Sequence, residues 1–332
     1  MVGCVPSSGS GLSSRVMTDE TQTPARLAVV INPSKIADDS PVHDRIEQAA
    51  SANGFGDVHW YETTIEDSGA GQARRALDDG ATLVVAYGGD GTIRRVAQTL
   101  SGSGVPMGLV PAGTGNLLAR ALATPLDLDN ALDVAFAGHL RCIDVGEVAC
   151  DGGDPEVFLV MAGLGLDADT MVLADDGLKK RFGWLAYVVS GVQALVNKGF
   201  RVWVRADGSV RISQHARTVM VGNVGQIQGG VMIMPEALLD DGKLDVLLAS
   251  PRGLSGWGAL LLDIVTRHHR GHKGVRRVQA EEITVRTRTG VEAQIDGDPV
   301  GAVHEMVCRV RPSALVVLAA PAEPTEPAVD DQ

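Results

Sequence analysis

Between residues 27 and 122 short apolar runs alternate with amphipathic stretches. Leu27-Ala28-Val29-Val30-Ile31, Val58-His59-Trp60-Tyr61, Leu83–Tyr87 and Met107–Val110 predict strands, and the stretches over 41–53, 70–79, 92–100 and 115–122 predict helices. A short strand that is apolar at every position is buried on both faces, so this alternation predicts a parallel sheet covered by helices. After about residue 145 the pattern changes. β-like segments follow one another at 157–162, 201–206, 209–213, 217–222, 244–249, 281–287, 291–295, 306–310 and 314–319. Many are separated by turn sequences such as Ala206-Asp207-Gly208-Ser209 and Asp240-Asp241-Gly242-Lys243. Helical stretches around 181–197 and 253–266 interrupt them, and no repeat of fixed period is present. The expected organisation is a disordered segment over 1–25, an α/β nucleotide-binding domain with a parallel sheet over 26–145, a β-rich sandwich over 146–320 with a last strand able to return to the first domain, and a disordered tail over 321–332.

Composition narrows the function classes. The chain has 332 residues, 45% hydrophobic and 21% charged, enough for two ordinary domains. Its formal net charge of −12 argues against general nucleic-acid binding. Cys4, Cys142, Cys150 and Cys308 form no Cys-x-x-Cys pair and read as isolated thiols in a reducing compartment. No apolar run reaches the roughly 18–20 residues needed to span a bilayer. The Ser-, Gly- and Thr-rich first residues lack a signal-peptide apolar region, Val2 excludes N-myristoylation, and Met17 is an alternative start. A cytoplasmic location is therefore expected.

The candidate chemistry lies in the loops after the strands. Gly88-Gly89-Asp90-Gly91-Thr92 follows the third apolar run and opens a helical pattern. Glycines there allow turn conformations and close approach to a bulky anion, and helix-start N–H groups can face phosphate. Asp90 is out of place in a pure phosphate cradle unless it organises a cation or takes a proton. Asn32-Pro33-Ser34-Lys35 follows the first strand and Pro111-Ala112-Gly113-Thr114-Gly115-Asn116 the fourth. In a parallel sheet all these loops converge on the carboxyl edge, where ligands bind.

The ordered set resembles the diacylglycerol kinase catalytic family, which includes bacterial diacylglycerol kinases, sphingosine kinases and ceramide kinases. The resemblance rests on Gly88–Thr92 and Pro111–Asn116, and continues through Arg141–Gly146, Gly163–Ala168, Asn223 with Gly229-Gly230, Pro235–Asp245, Ile295–Asp298 and Arg311–Leu315. It covers about residues 26–320. It implies an NAD kinase/diacylglycerol kinase-like fold and an ATP- and Mg²⁺-dependent lipid kinase, with the nucleotide between two domains. Asn32, Ser34, Lys35, Thr64, Gly88, Gly89, Asp90, Gly91, Thr92, Ile93, Arg94, Gly113, Thr114 and Asn116 are then expected at the ATP site. Asp90, Asp127 and Asp144 look like the acidic set that organises catalytic Mg²⁺ through water, with a helix cap as the other reading of Asp127. Leu238, Asp241 and Lys243 match a second, structural Mg²⁺ site formed by one carboxylate and two main-chain carbonyls. Asp298 stands where bacterial members carry a Glu that looks like the general base, one methylene shorter, with Asp90 as the competing candidate. Lys35 replaces a frequent Gly, and Arg94 and Arg95 replace Asn and Glu.

Diacylglycerol, giving phosphatidic acid, is the expected acceptor. A sphingoid base, an NAD kinase-like activity and a non-catalytic nucleotide- or lipid-binding protein are the alternatives. Lys179-Lys180-Arg181 before Phe182, Trp184 and Leu185, and the apolar stretch 253–265 before a basic cluster at 267–277, suit peripheral docking on an anionic membrane. A homodimer is compatible with the chain.

Overall fold

The computed structural model describes residues 25–37, 40–165, 199–227, 231–250 and 275–321. The expected helices at 181–197 and 253–266, the basic clusters at 179–181 and 267–274, Leu166-Asp167-Ala168, Gly229-Gly230 and the two tails lie outside the described residues. Among the described residues no helix is long and apolar enough to cross a membrane.

The first half alternates as the apolar pattern requires: β1 (Leu27–Ile31), α1 (Val42–Ala52), β2 (Val58–Glu62), α2 (Ala70–Asp78), β3 (Leu83–Gly88), α3 (Asp90–Leu100), β4 (Met107–Pro111), α4 (Leu117–Ala121) and α5 (Leu128–Ala137). β1 pairs in parallel with β2 and β3, and β3 with β4. Strand residues divide by parity. Leu27, Val29 and Ile31 share a core with Val42 and Ile46 of α1 and Leu132 and Phe136 of α5. Ala28 and Val30 share another with Ala73 and Ala76 of α2 and Ile93 and Val96 of α3. Burial on both faces is the physical reason these strands carry no polar alternation.

The second half comprises β5 (His139–Cys150), β6 (Glu156–Phe158), β7 (Met161–Leu164), β8 (Phe200–Ala206), β9 (Val210–Ala216), β10 (Thr218–Gly222), β11 (Gln226–Ile227), β12 (Val231–Met232), β13 (Leu244–Ala249), β14 (Val275–Ala280), β15 (Glu282–Ile295) and β16 (Asp298–Ala319). Its core gathers alternate residues such as Leu164, Val202, Val204, Val221, Val246, Ile283, Val285 and Met306. β5 and β16 run antiparallel from the Met306↔Cys150 pair to Ala319↔His139. Near its end β16 lies parallel to β4, with Val317 beside Met107. One fourteen-stranded sheet therefore passes through both halves.

Three expectations change. The segments 281–287 and 291–295 are one strand, as are 306–310 and 314–319. Register shifts between Arg286 and Val291 and between Arg311 and Leu315 stand where the sequence reads as turns. α5 and β5 were not expected as elements; α5 begins at Asp127, whose side chain accepts from Asn130 N. Arg276 and Arg277, assigned to the basic cluster after a helix, lie in β14 opposite Leu248 and Leu247 of β13.

Candidate active site

β3 ends at Gly88 and α3 begins at Asp90, so Gly89 alone connects strand to helix. The helix N-terminus opens directly at the carboxyl edge of the sheet. None of Gly88, Gly89, Gly91, Gly113 and Gly115 has a positive φ. Gly88, Gly113 and Gly115 are required for space, and none of the five is required for a left-handed turn conformation, contrary to expectation. A Cβ on Gly88 would stand 2.7 Å from Thr92 Cβ. One on Gly113 would stand 2.8 Å from Gly89 Cα, and one on Gly115 2.7 Å from Asp90 Oδ2. The two glycine loops are pressed backbone to backbone.

Asp90 fastens them. Its Oδ2 accepts from Asn116 N at 2.8 Å and its Oδ1 from Leu117 N at 2.6 Å. Asn116 takes a left-handed conformation (φ 50°) at the start of α4. Its Oδ1 accepts from Gly113 N and its Nδ2 donates to Gly113 O, both at 2.9 Å. The loop after β1 joins through Asn32, whose Nδ2 donates to Thr92 Oγ1 at 3.3 Å. Asn32 Oδ1 accepts from Ser34 N and, at 2.7 Å, from Ser34 Oγ. Lys35, Thr64 and Thr114 are exposed around this edge, whereas Thr63 is buried. Thr64 Oγ1 accepts from Asp67 N. Ile93 is buried in the α2–α3 core, so only its main chain faces the junction.

The second half reaches this edge through the turn between β15 and β16. Arg94 Nη2 donates to Asp298 Oδ2 at 2.5 Å. The arginine side chain is 5% exposed and the aspartate 58% exposed, so a buried cation holds a carboxylate that faces solvent. Glu156 of β6 lies 3.0 Å from Arg95 Nη2 and 3.7 Å from Arg94 Nη1. Among the described residues, Arg94 Nε and Nη1 have no hydrogen-bond partner. Asp296 anchors the turn: its Oδ2 accepts from Leu159 N, and its Oδ1 from Val160 N and Met161 N, at 2.8–2.9 Å. Desolvation pushes the Asp296 carboxyl up to about 6, against the lowering by its three N–H donors and the charge of Arg94. Asp296 and Glu156 were missed as site residues. The first Asp of Asp-Gly-Asp was the available signal for Asp296.

The remaining acidic residues stand apart. Asp144 is buried; Oδ2 accepts from Gly242 N at 2.6 Å and Oδ1 from Ser313 N at 2.7 Å, clamping the β16 register shift to the loop before β13. Burial raises its pKa, the two N–H donors lower it, and Asp241 and Asp240 raise it further. Asp241 Oδ1 accepts from Lys243 N, and Leu238 is exposed beside them. Asp127 is exposed, and its bonds from Asn130 lower its pKa. Among the described residues no three His, Cys, Asp or Glu side chains gather to hold a metal ion, so Asp90, Asp127 and Asp144 are not one cluster.

Two family models match the chain. Residues 26–148 match the diacylglycerol kinase catalytic domain, and residues 160–319 match the YegS C-terminal NAD kinase beta sandwich-like domain. The Pseudomonas fluorescens protein named "Probable lipid kinase YegS-like" is 32% identical over 259 residues, covering 75% of this chain and 82% of that protein. A diacylglycerol kinase of Staphylococcus saprophyticus is 26% identical over 241 residues, covering 72% and 77%. Solved structures of a Bacillus anthracis protein named as a diacylglycerol kinase share the fold. Their TM-scores are 0.74 and 0.67 at 23% and 20% identity, covering 91% of this chain and 99% of theirs.

Proposed function

From the premise that the chain belongs to the diacylglycerol kinase catalytic family of lipid kinases, we propose that it transfers the ATP γ-phosphate to diacylglycerol, with Asp298 as general base. The observation that carries this reading is the placement of Asp298, from the second half, against the strand–helix junction of the first through Arg94. A phosphate chain at the N-terminus of α3 would meet main-chain N–H groups and the Lys35 ammonium, while Asn32, Ser34, Thr64 and Thr114 offer hydrogen bonds. The acceptor hydroxyl would enter from the second half and give its proton to Asp298, which is exposed and within reach of the same edge. Arg94 is spent on Asp298 rather than on phosphate.

Mg²⁺ fits the site as an ion arriving with the nucleotide. Asp90, at the strand–helix junction, is the carboxylate that would meet it through water, whereas Asp127 and Asp144 stand apart from Asp90. When bound, it would neutralise charge on the transferred phosphoryl group. Asp241 with the carbonyls of Leu238 and Lys243 is an oxygen donor set suited to a second hard cation. With a lipid acceptor and ATP as donor, the enzyme would work at a membrane surface from the cytoplasm.

Radiolabelled ATP with a panel of diacylglycerol, sphingoid base and NAD tests the reading. Label is expected in diacylglycerol. Asp298→Ala should lower turnover at least about 100-fold while ATP affinity holds, and Asp90→Ala should lower both. Label in NAD alone, no labelled product, or near-normal turnover by Asp298→Ala would overturn it.

A further inference from the structure

The hairpin of β8 and β9 turns one face into the core and the other to solvent. Val202, Val204, Ala206, Ile212 and Ala216 point inward and are buried. Arg201, Trp203, Arg205, Arg211 and His215 alternate with them and are exposed. Register places these outward residues together. Arg205 is directly opposite Arg211 and Arg201 opposite His215, while Trp203 faces Arg286 of β15. Trp203 is 42% exposed, and the Arg201 guanidinium carbon lies 6.0 Å from its ring centroid. Arg286 pairs with Glu305, but Arg201, Arg205 and Arg211 make no ion pair among the described residues.

This arrangement is unfavourable on its own. Like charges directly opposed across a ladder repel, and a chain of net charge −12 has carboxylates enough to have paired them. An anionic surface would offset that cost, and an indole beside guanidinium groups suits the interface between headgroups and water. We propose that the Arg201–Trp203–Arg205–Arg211 face docks the protein on an anionic membrane. The inference rests on the lipid-kinase reading, which places the acceptor in a bilayer. Seven residues of β16 separate Asp298 from Glu305, the partner of Arg286, so the face lies on the order of 20 Å from the Asp296–Asp298 turn and governs residence at the membrane and not the chemistry.

Sedimentation with phosphatidylcholine vesicles, with and without phosphatidylglycerol, tests it. The protein should bind the anionic vesicles, less so in high salt. Arg205→Glu and Arg211→Glu should each reduce partitioning about tenfold or more. Each also places opposite charges across the ladder, so the thermal midpoint should hold or rise. Turnover on short-chain diacylglycerol in detergent micelles should be unchanged. Vesicle binding unaltered by these variants, no binding by the parent protein, or capture of duplex oligonucleotide in place of vesicles would overturn the proposal. Anionic-vesicle binding without lipid phosphorylation would leave the docking face standing and remove the kinase reading.

Discussion

The two halves of the candidate site are held by opposite means. On the first half, the proposed nucleotide side, loops meet through atoms that are missing: Gly88, Gly89, Gly113 and Gly115 have no side chains, and any Cβ at Gly88, Gly113 or Gly115 would fall within 3 Å of a neighbour. On the second half, the proposed acceptor side, carboxylates do the holding. Asp296 gathers three main-chain N–H groups, Asp144 two, Asp151 two and Asp207 two, each at a turn or at a strand partner. Packed backbone yields a fixed cradle with little to tune. A carboxylate clamp places a turn and also carries charge, so the environment can tune it. Asp90 is the crossover, a carboxylate clamp inside the glycine cradle.

The contrast breaks most visibly at Gly113. Gly113→Ala pushes Cβ against the Gly89 backbone, which has no flexible end to yield. Turnover should fall about 100-fold or more and the thermal midpoint by several degrees, because overpacking of this kind costs about 1–3 kcal/mol. Gly56→Ala, with nothing within 4 Å of the new Cβ, is the control and should behave as the parent. A Gly113→Ala protein with parental kinetics and melting would show that the cradle is soft and the contrast false.

Arg94 sharpens the comparison, because it joins the two halves. Arg94→Met keeps the stem and removes the cation from Asp298. In steady-state kinetics kcat should fall about tenfold, the range of a positioning loss, with KM for ATP within about twofold. A rise in KM for ATP at constant kcat would assign Arg94 to the phosphates instead.

The nucleotide side was largely legible in the sequence because its signals are local. An apolar run followed by Gly-Gly-Asp-Gly-Thr reads as a strand end and a helix start, and the loops at 32–35 and 111–116 read likewise. What the glycines pack against was not legible, since Gly89 and Gly113 meet only in three dimensions. The acceptor side was less legible. Arg94 and Asp298 lie 204 positions apart, and the Glu156 contact joins elements with no shared pattern. Pro312-Ser313 and Gly290 read as turns, which concealed the full length of β16 and β15. Asp127 signalled a cap, but the helix it caps was not drawn from it.

The smallest effect expected tests the tunable side. The folded protein holds the Asp296 proton up to about 6, against an ordinary value of 3.8. Between these values the unfolded chain has lost that proton and the folded chain retains it. Stability from this group is therefore fully present below about 4 and is lost as pH rises through about 6. The swing is about 1–2 kcal/mol once partial contact with water is allowed for. Asp296→Asn cannot titrate, and its amide group faces N–H donors, which adds a cost independent of pH. Urea unfolding of both proteins at pH 4.5 and 7.5 separates the two terms. The variant's deficit should be larger at pH 4.5 and shrink at pH 7.5; an equal deficit at both values would mean that Asp296 clamps its turn by geometry alone, as the glycines do on the other side.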